Sequence, residues 1–384
     1  MSLIECHQAI QICVDAHGEK ISNAEARSLL STRLKDYTRK QGELKSLISF
    51  VKEATNAQPF FIKPVNDQIG WSGDRVFKVI DEMTKENILF LKVFASDSKN
   101  FVDEVFSINF LNKVYDSSCP RIEAIGKFSE EGKLYFVVAQ TPAPGVSFQT
   151  LYSAMAKNDR SKAFEHLKSA VIACGKGLAK LHAIRGNEKP YPAEFMQWIK
   201  IDLAKTLQKL PQDFTVDKLQ KRVNYLLEKT KSWTLFPTAT HGDVKLIHAF
   251  YNHAGKGFGL IDPPHLAKSI APSGEPQGIA LTDYTYFIFS ILLNRVEYGL
   301  DDETVWKREL LTEEEAIELV ALFEASYREH GGMPPSKEEK ELFELRYLLN
   351  FIAKYMDEPC KIAEPAPTRL RDLSAICMRY LRLL

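Results

Sequence analysis

Residues 240–252 read THGDVKLIHAFYN, a polar loop followed by a strand-like apolar run. The turn NHAGKG and a second strand, FGLID, come next, so the pattern predicts two neighbouring strands joined by a turn. Asp243 precedes the first strand, and Asp262 ends the second. Aspartates at the ends of neighbouring strands suit one general base and one metal ligand. The stretch therefore predicts a site with acid–base and metal-binding chemistry.

The segment upstream predicts a small antiparallel sheet with a helix packed on it. RVFKVID (75–81) and ILFLKVF (88–94) are β-branched and aromatic runs joined by the polar turn EMTKEN, which is typical of a hairpin. A helical stretch follows at 100–114, and residues 122–140 give two more strands around a turn at Gly132. Strands, one helix and strands again indicate an α+β unit.

The chain downstream of residue 146 is predicted to be mostly helical. Capping boxes at Thr312–Glu315 and Ser336–Glu339 open two of the later helices. An earlier helix carries an apolar stripe at spacings of four, three, four and three residues, formed by Leu167, Val171, Cys174, Leu178 and Leu181. The proline-containing segment 141–145 is the predicted hinge between this part and the sheet.

The region before the sheet is a predicted helical extension, in which Ser22 and Glu25 have the spacing of a capping box. The predicted organisation has three parts. Residues 1–57 form the extension, residues 58–145 a small antiparallel-sheet lobe, and residues 146–384 a large helical lobe. The expected fold class is α+β.

Composition argues against several classes of partner. The 384 residues carry 50 basic and 50 acidic side chains, which disfavours nucleic acid and anionic membrane surfaces as partners. The longest apolar run, 284–293, is about half the length of a membrane span. The six cysteines show no CxxC spacing, and the amino terminus resembles no secretory signal. We therefore expect free thiols and a cytoplasmic protein, with a host-delivered effector as the alternative.

Lys92 and Glu104 are predicted to form an ion pair. Lys92 lies in the middle of an apolar strand, and Glu104 lies on the apolar face of the helix that follows. Each charge is costly to bury alone, and each residue carries the opposite charge that would neutralise the other. The alternative is that both side chains reach solvent independently.

The stretch IGWSGDRVFKV places Gly70, Ser72 and Gly73 immediately before a strand. Glycines permit a tight turn whose backbone N–H groups approach phosphate oxygens closely. An ordinary turn is the alternative, but here the strand lysine and the helix glutamate follow the turn.

Two further residues are predicted to support the loop around Asp243. Asp283 opens an apolar run that indicates a buried helix, and its carboxylate could accept N–H bonds from the loop. His182 lies at the end of its helix, where it is predicted to support the same loop without reacting.

In this order, the pieces resemble the aminoglycoside phosphotransferase and choline kinase-like branch of the protein-kinase-like superfamily. The matching segments are IGWSGDRVFKV, LFLKV, Glu104, GKGLAKLHA, HGDVKLIH, GLIDP and Asp283. Glycine at position 242, in place of arginine, favours the small-molecule kinases over the protein kinases. The resemblance implies a bilobal protein-kinase-like fold and transfer of the γ-phosphate of ATP to a hydroxyl group of a small molecule.

The resemblance also implies a role for each matching residue. Asp243 would be the catalytic base, and Asp262 a magnesium ligand. Lys92 would contact the α- and β-phosphates, and Glu104 would orient it. The other nucleotide contacts would come from a phosphate loop and from backbone that hydrogen-bonds adenine: Gly70, Ser72, Gly73, Gln140, Thr141 and Pro142.

The chain departs from the family pattern at His248, which stands where the family has asparagine. Magnesium prefers oxygen ligands, whereas imidazole suits manganese and other transition metals. We therefore expect ATP with magnesium or manganese as cofactors, and a metal site formed by Asp262 and His248.

Two other functions remain as alternatives. A kinase-like pseudoenzyme would bind a nucleotide or metabolite and transfer nothing. An effector kinase would modify a protein or lipid, and residues 1–57 would then dock a protein partner. The presence of Lys92, Glu104, Asp243 and Asp262 argues against complete loss of activity.

Overall fold

The structure is a computed structural model that describes most of the chain after residue 46. The described residues are 47–55, 59–65, 75–95, 100–157, 159–209, 216–271, 273–301 and 304–355, with Asp372 and Cys377. Most of the predicted extension, including its capping box at Ser22 and Glu25, lies outside them. The same holds for Gly70, Ser72 and Gly73 of the predicted phosphate loop.

Helices and strands have the following bounds. The strands are β1 (Phe60–Pro64), β2 (Arg75–Asp81), β3 (Asn87–Ala95), β4 (Ile122–Glu130), β5 (Lys133–Gln140), β6 (Val146–Ser147), β7 (Lys189–Pro190), β8 (Thr234–Leu235), β9 (Ala249–Asn252), β10 (Gly257–Leu260), β11 (Val296–Asp301) and β12 (Thr304–Glu309). The helices are α1 (Leu47–Ala54), α2 (Asn100–Tyr115), α3 (Phe148–Ala154), α4 (Arg160–His182), α5 (Ala193–Leu207), α6 (Val216–Thr230), α7 (Ala280–Leu293), α8 (Glu313–Glu329) and α9 (Lys337–Tyr355).

The chain divides into two compact units. The first contains residues 1–146 and 248–277, and the second contains residues 147–247 and 278–384. The β9–β10 hairpin thus belongs to the first unit, although residues 248–277 fall within the predicted helical lobe. The element order, a strand-rich unit followed by a mostly helical one, confirms the α+β class.

The sheet of the first unit has five strands in the order β1-β2-β3-β5-β4, and neighbouring strands are antiparallel. The predicted hairpins β2–β3 and β4–β5 are confirmed, and so is α2. The short edge strand β1 was not predicted individually.

Side chains of β3 alternate between the two faces of this sheet. Leu91 and Val93 pack with Phe50 of α1 on one face. Phe94 packs with Phe101 of α2 on the other. Lys92 has the parity of Phe94, so its side chain leaves the sheet on the face that α2 covers.

The second unit has a helical core. The five residues of the predicted stripe on α4 are all buried, which confirms that prediction. Both capping boxes are present, because Glu315 donates its N–H to the Thr312 hydroxyl and Glu339 donates its N–H to Ser336. The apolar run predicted as a buried helix is α7. The hairpin β11–β12 was not predicted.

Cys119, Cys174 and Cys377 are free and buried, as expected for three of the six cysteines. The other three lie outside the described residues. Within the described segments, no helix has both the length and the apolar character that a membrane span requires.

Candidate functional site

The ammonium group of Lys92 contacts the carboxylates of Glu104 and Asp262. The side chain of Lys92 is 9% exposed and that of Glu104 is 14% exposed, so neither charge reaches solvent on its own. The predicted Lys92–Glu104 ion pair is confirmed. The contact with Asp262, whose side chain is 50% exposed, was not foreseen.

The two carboxylates keep Lys92 charged. Burial alone lowers the pKa of this ammonium group, but the negative charges of Glu104 and Asp262 outweigh that effect and raise the pKa above its ordinary value. The cluster of one ammonium group and two carboxylates is net negative, so an anionic group such as a phosphate would bind here together with a further cation that offsets Asp262.

The β9–β10 hairpin brings His248 and Asp262 to the same end of two paired strands. Ala249 pairs with Leu260, and the N–H of Ile261 donates to the carbonyl oxygen of His248 at 2.9 Å. Asp262 then leaves the strand with φ of +56°, in a left-handed conformation that non-glycine residues rarely adopt. Its Oδ2 lies 4.0 Å from Nε2 of His248.

Asp262 and His248 fit a divalent cation as a partial ligand set. A cation bound by both donors would lie about 2.1 Å from each, so donors 4.0 Å apart need only a small movement to become neighbouring ligands. Among the described residues, no group of three His, Cys, Asp or Glu side chains is arranged to hold a metal.

In the second unit, Asp283 holds the loop that carries Asp243. The N–H of His241 donates to Asp283 Oδ2 at 2.7 Å, and the N–H of Gly242 donates to Oδ1 at 2.6 Å. This confirms the predicted support of the loop by Asp283. Gly242 has φ of +87°, a conformation that a side chain would strain, so the turn requires glycine at this position.

Asp283 is fully buried, and its charge is balanced by its hydrogen bonds. Burial alone raises the pKa of this carboxyl group. The hydrogen bond from His182 and the one from the Gly242 N–H outweigh that effect and lower the pKa below its ordinary value. Nε2 of His182 lies 3.3 Å from Asp283 Oδ2, so His182 supports the loop indirectly, as predicted.

Lys245 is a site residue that the sequence reasoning missed. Its Nζ lies 2.8 Å from Oδ1 and 2.9 Å from Oδ2 of Asp243. The Asp243 side chain is 20% exposed and that of Lys245 is 45% exposed. The signal in the sequence was a basic residue two positions after the predicted base, within the same loop.

The segment 140–142, which is predicted to hydrogen-bond adenine through its backbone, has few backbone N–H groups to offer. Gln140 ends β5 and is buried. The N–H of Thr141 donates to the carbonyl of Arg121 at 2.8 Å, and Pro142 has no N–H. Adenine contact through Thr141 and Pro142 would therefore use carbonyl acceptors, unless the bond to Arg121 opens.

The chain is similar to solved structures of a glucosamine kinase and of antibiotic phosphotransferases. A glucosamine kinase has 12% identity and a TM-score of 0.49, with 87% of this chain and 82% of that chain covered. An aminoglycoside phosphotransferase, APH(2")-IIia with GDP and kanamycin, has 14% identity and a TM-score of 0.45, with 87% and 96% covered. The macrolide 2'-phosphotransferase type I has 11% identity and a TM-score of 0.43, with 88% and 99% covered.

The sequence itself matches no protein-family model, and it matches no curated protein significantly. Structural similarity at these low identities and TM-scores assigns neither an activity nor a substrate to this chain.

Proposed function

We propose that this protein transfers the γ-phosphate of ATP to a hydroxyl group of a small molecule. The observation that carries the proposal is the buried Lys92 ammonium group, which bridges Glu104 and Asp262 in the first unit. A cation held in this way at a sheet–helix junction is the group that kinases use to bind nucleotide phosphates.

The first unit is assigned the nucleotide. Lys92 binds the α- and β-phosphates, and Glu104 holds its side chain in place. The predicted phosphate loop, Gly70, Ser72 and Gly73, is assigned to the phosphates. Carbonyls of Gln140, Thr141 and Pro142 are assigned to the adenine amino group. Asp262 and His248 would hold a divalent cation, which would offset the negative charge of the phosphate oxygens.

The second unit is assigned the acceptor chemistry. The oxygen of the acceptor hydroxyl forms a bond to the γ-phosphorus, and the bond between that phosphorus and the β–γ bridging oxygen breaks. The hydroxyl proton passes to the carboxylate of Asp243, and ADP leaves. Asp283 keeps the loop of Asp243 rigid, so that the base is ordered before the acceptor arrives.

An ATP-turnover assay tests the proposal. The purified protein is incubated with ATP and magnesium or manganese, in the presence of amino sugars, aminoglycosides, macrolides, choline and neutral sugars, and ADP release is measured. We expect release that depends on one acceptor class. If nucleotide raises the melting temperature but no acceptor and neither metal supports ADP release, the pseudoenzyme is the better description. The assay contains only small-molecule acceptors, so a protein or lipid substrate remains as an alternative. That alternative is tested by comparing the full chain with a variant that lacks residues 1–57.

A further inference from the structure

A buried tyrosine lies behind His182, on the side away from Asp283. Tyr327 of α8 is 1% exposed, and its hydroxyl oxygen lies 2.9 Å from Nδ1 of His182. The other ring nitrogen, Nε2, lies 3.3 Å from Asp283 Oδ2. The imidazole thus connects a tyrosine hydroxyl to the carboxylate that holds the Asp243 loop.

The hydrogen-bonding capacity of each group indicates where the protons lie between Tyr327, His182 and Asp283. An ionised carboxylate only accepts, so Nε2 of His182 carries a proton that it donates to Asp283. Among the described residues, the Tyr327 hydroxyl has no other acceptor than Nδ1 of His182. A proton on Nδ1 as well would leave the buried O–H without an acceptor, which is costly. The satisfied arrangement is a neutral imidazole that accepts from Tyr327 and donates to Asp283.

Two glycines allow the helices that carry these residues to approach closely. A Cβ on Gly175 of α4 would lie 2.6 Å from the carbonyl oxygen of Phe323 and 2.9 Å from the nitrogen of Tyr327. A Cβ on Gly332 would lie 2.4 Å from the Tyr327 ring. The tyrosine is therefore confined by backbone on α4 and by the turn after α8.

We infer that Tyr327 is a positioning residue for the Asp243 loop, and that it acts by fixing the orientation of the His182 ring. This inference rests on the proposed function for its effect on catalysis. Loss of the hydroxyl leaves Nδ1 without its donor, so the ring is free to turn and the hydrogen bond from Nε2 to the Asp283 carboxylate is weakened. The carboxylate shifts, and the N–H groups of His241 and Gly242 lose part of their anchor.

The consequence falls on the chemical step. The nucleotide contacts are assigned to the first unit, whereas the loop held by Asp283 carries the proposed base. Tyr327→Phe, which keeps the ring, should therefore lower kcat and leave the KM for ATP unchanged. We expect a fall of about five- to tenfold, the typical worth of one buried hydrogen bond.

The matched control is Tyr191→Phe in the same unit. Tyr191 is also buried, and its hydroxyl donates to Glu339 at 2.8 Å, with no contact to His182. Both variants lose one buried tyrosine hydrogen bond, so their melting temperatures should fall by similar amounts. Only Tyr327→Phe should change kcat.

The hydrogen bond from Nε2 is read by nitrogen-15 and proton NMR of the His182 ring in the full chain, with Gly242 amide exchange as the second measurement. We expect a slowly exchanging Nε2–H proton in the wild type and in Tyr191→Phe. Tyr327→Phe should show faster exchange of both the Nε2–H proton and the Gly242 amide. Unchanged exchange of both in Tyr327→Phe would overturn the inference.

These NMR measurements need no turnover, so the two ideas can fail separately. An enzyme that is silent with every acceptor but shows the faster Nε2–H and Gly242 exchange in Tyr327→Phe retains the positioning role and loses the proposed function. An active enzyme in which Tyr327→Phe behaves like Tyr191→Phe retains the proposed function and loses the positioning role.

Discussion

Lys245 donates to both carboxylate oxygens of Asp243, at 2.8 and 2.9 Å. Both residues lie in the loop whose backbone N–H groups donate to Asp283. Each carboxylate oxygen has two lone pairs, so the pair leaves room for an acceptor hydroxyl on the same carboxylate. The ammonium group also places positive charge beside the proposed base, where an anionic phosphoryl group would be transferred. Two of our predictions concern this pair.

Asp243→Asn should abolish phosphotransfer while ATP still binds. The amide cannot take the hydroxyl proton, and the nucleotide contacts are assigned to residues of the first unit. We expect a loss of at least about a hundredfold in kcat, with nucleotide affinity changed by less than about threefold. ADP release and ATP-induced thermal shift measure the two quantities. A variant that keeps most of the wild-type rate would show that the base is elsewhere.

Lys245→Met should lower kcat by about tenfold, and Lys245→Arg should retain most of the rate. A preorganised charge near a transferring phosphoryl group stabilises the transition state, and partial exposure of Lys245 weakens that effect through solvent screening. Comparing the ADP-release rates at low and high salt measures the electrostatic part of the Lys245 contribution to kcat. Equal rates for Met and Arg at position 245 would contradict this role.

Lys92→Met should destabilise the first unit, because it leaves the buried Glu104 carboxylate without its cation. Breaking such a pair costs about 3–5 kcal/mol of unfolding free energy. The pKa of Lys92 is raised by folding, so its contribution is complete below the unfolded-state pKa of about 10.4 and is lost only as pH rises through the higher folded-state value. Urea unfolding should therefore give the same loss at pH 6 and at pH 9.

The control for Lys92→Met is Arg75→Met on β2 of the same sheet. Arg75 pairs with Glu130 at 3.1 Å, but both side chains are substantially exposed. An exposed pair contributes about 0–1 kcal/mol, so this variant should unfold almost like the wild type. Equal losses for the two variants would mean that the Lys92 pair is not buried in solution.

Asp283→Asn should lower the unfolding free energy of the second unit by about 3 kcal/mol at pH 7. The carboxylate accepts hydrogen bonds from two backbone N–H groups and from His182, and the single oxygen of an amide cannot accept all three equally well. The folded-state pKa of Asp283 is lowered, so the carboxylate stabilises the fold above its unfolded-state pKa of about 3.9. That stabilisation is lost as pH falls through the folded-state value. The difference between variant and wild type should be constant from pH 7 to pH 5 and should shrink below about pH 4. Denaturant unfolding across this range measures it, and a difference that grows on acidification would contradict the assignment.

His248→Asn should raise the magnesium-supported rate relative to the manganese-supported one. Asparagine supplies an oxygen ligand that magnesium prefers, whereas imidazole favours manganese. The wild type should be more active with manganese than with magnesium at equal concentration. His253→Asn, a change to a histidine in the β9–β10 turn, is the control and should leave the metal preference unaltered. An unchanged preference in His248→Asn would remove His248 from the metal site.

Local pattern was sufficient for part of the fold and for part of the site. Runs of β-branched and aromatic residues predicted β2 to β5, the apolar stripe predicted α4, and two capping boxes located the starts of α8 and α9. The Lys92–Glu104 pair could be inferred because two charges on apolar faces, twelve residues apart, each required a partner. The support of the loop by Asp283 followed from the same reasoning about a carboxylate at the start of a buried helix.

Other features depend on how distant parts of the chain pack. Lys92 meets Asp262 across 170 residues, and His182 meets Tyr327 across 145 residues. Lys245 could have been noticed in the sequence, but only the structure shows that its ammonium group contacts the Asp243 carboxylate. The sequence by itself determined which residues must be buried or charged and with what period they recur, because those properties are local. The tertiary structure decided which charges meet. The partner of a side chain depends on strand register, on how closely helices pack and on the backbone turns that bring remote segments together.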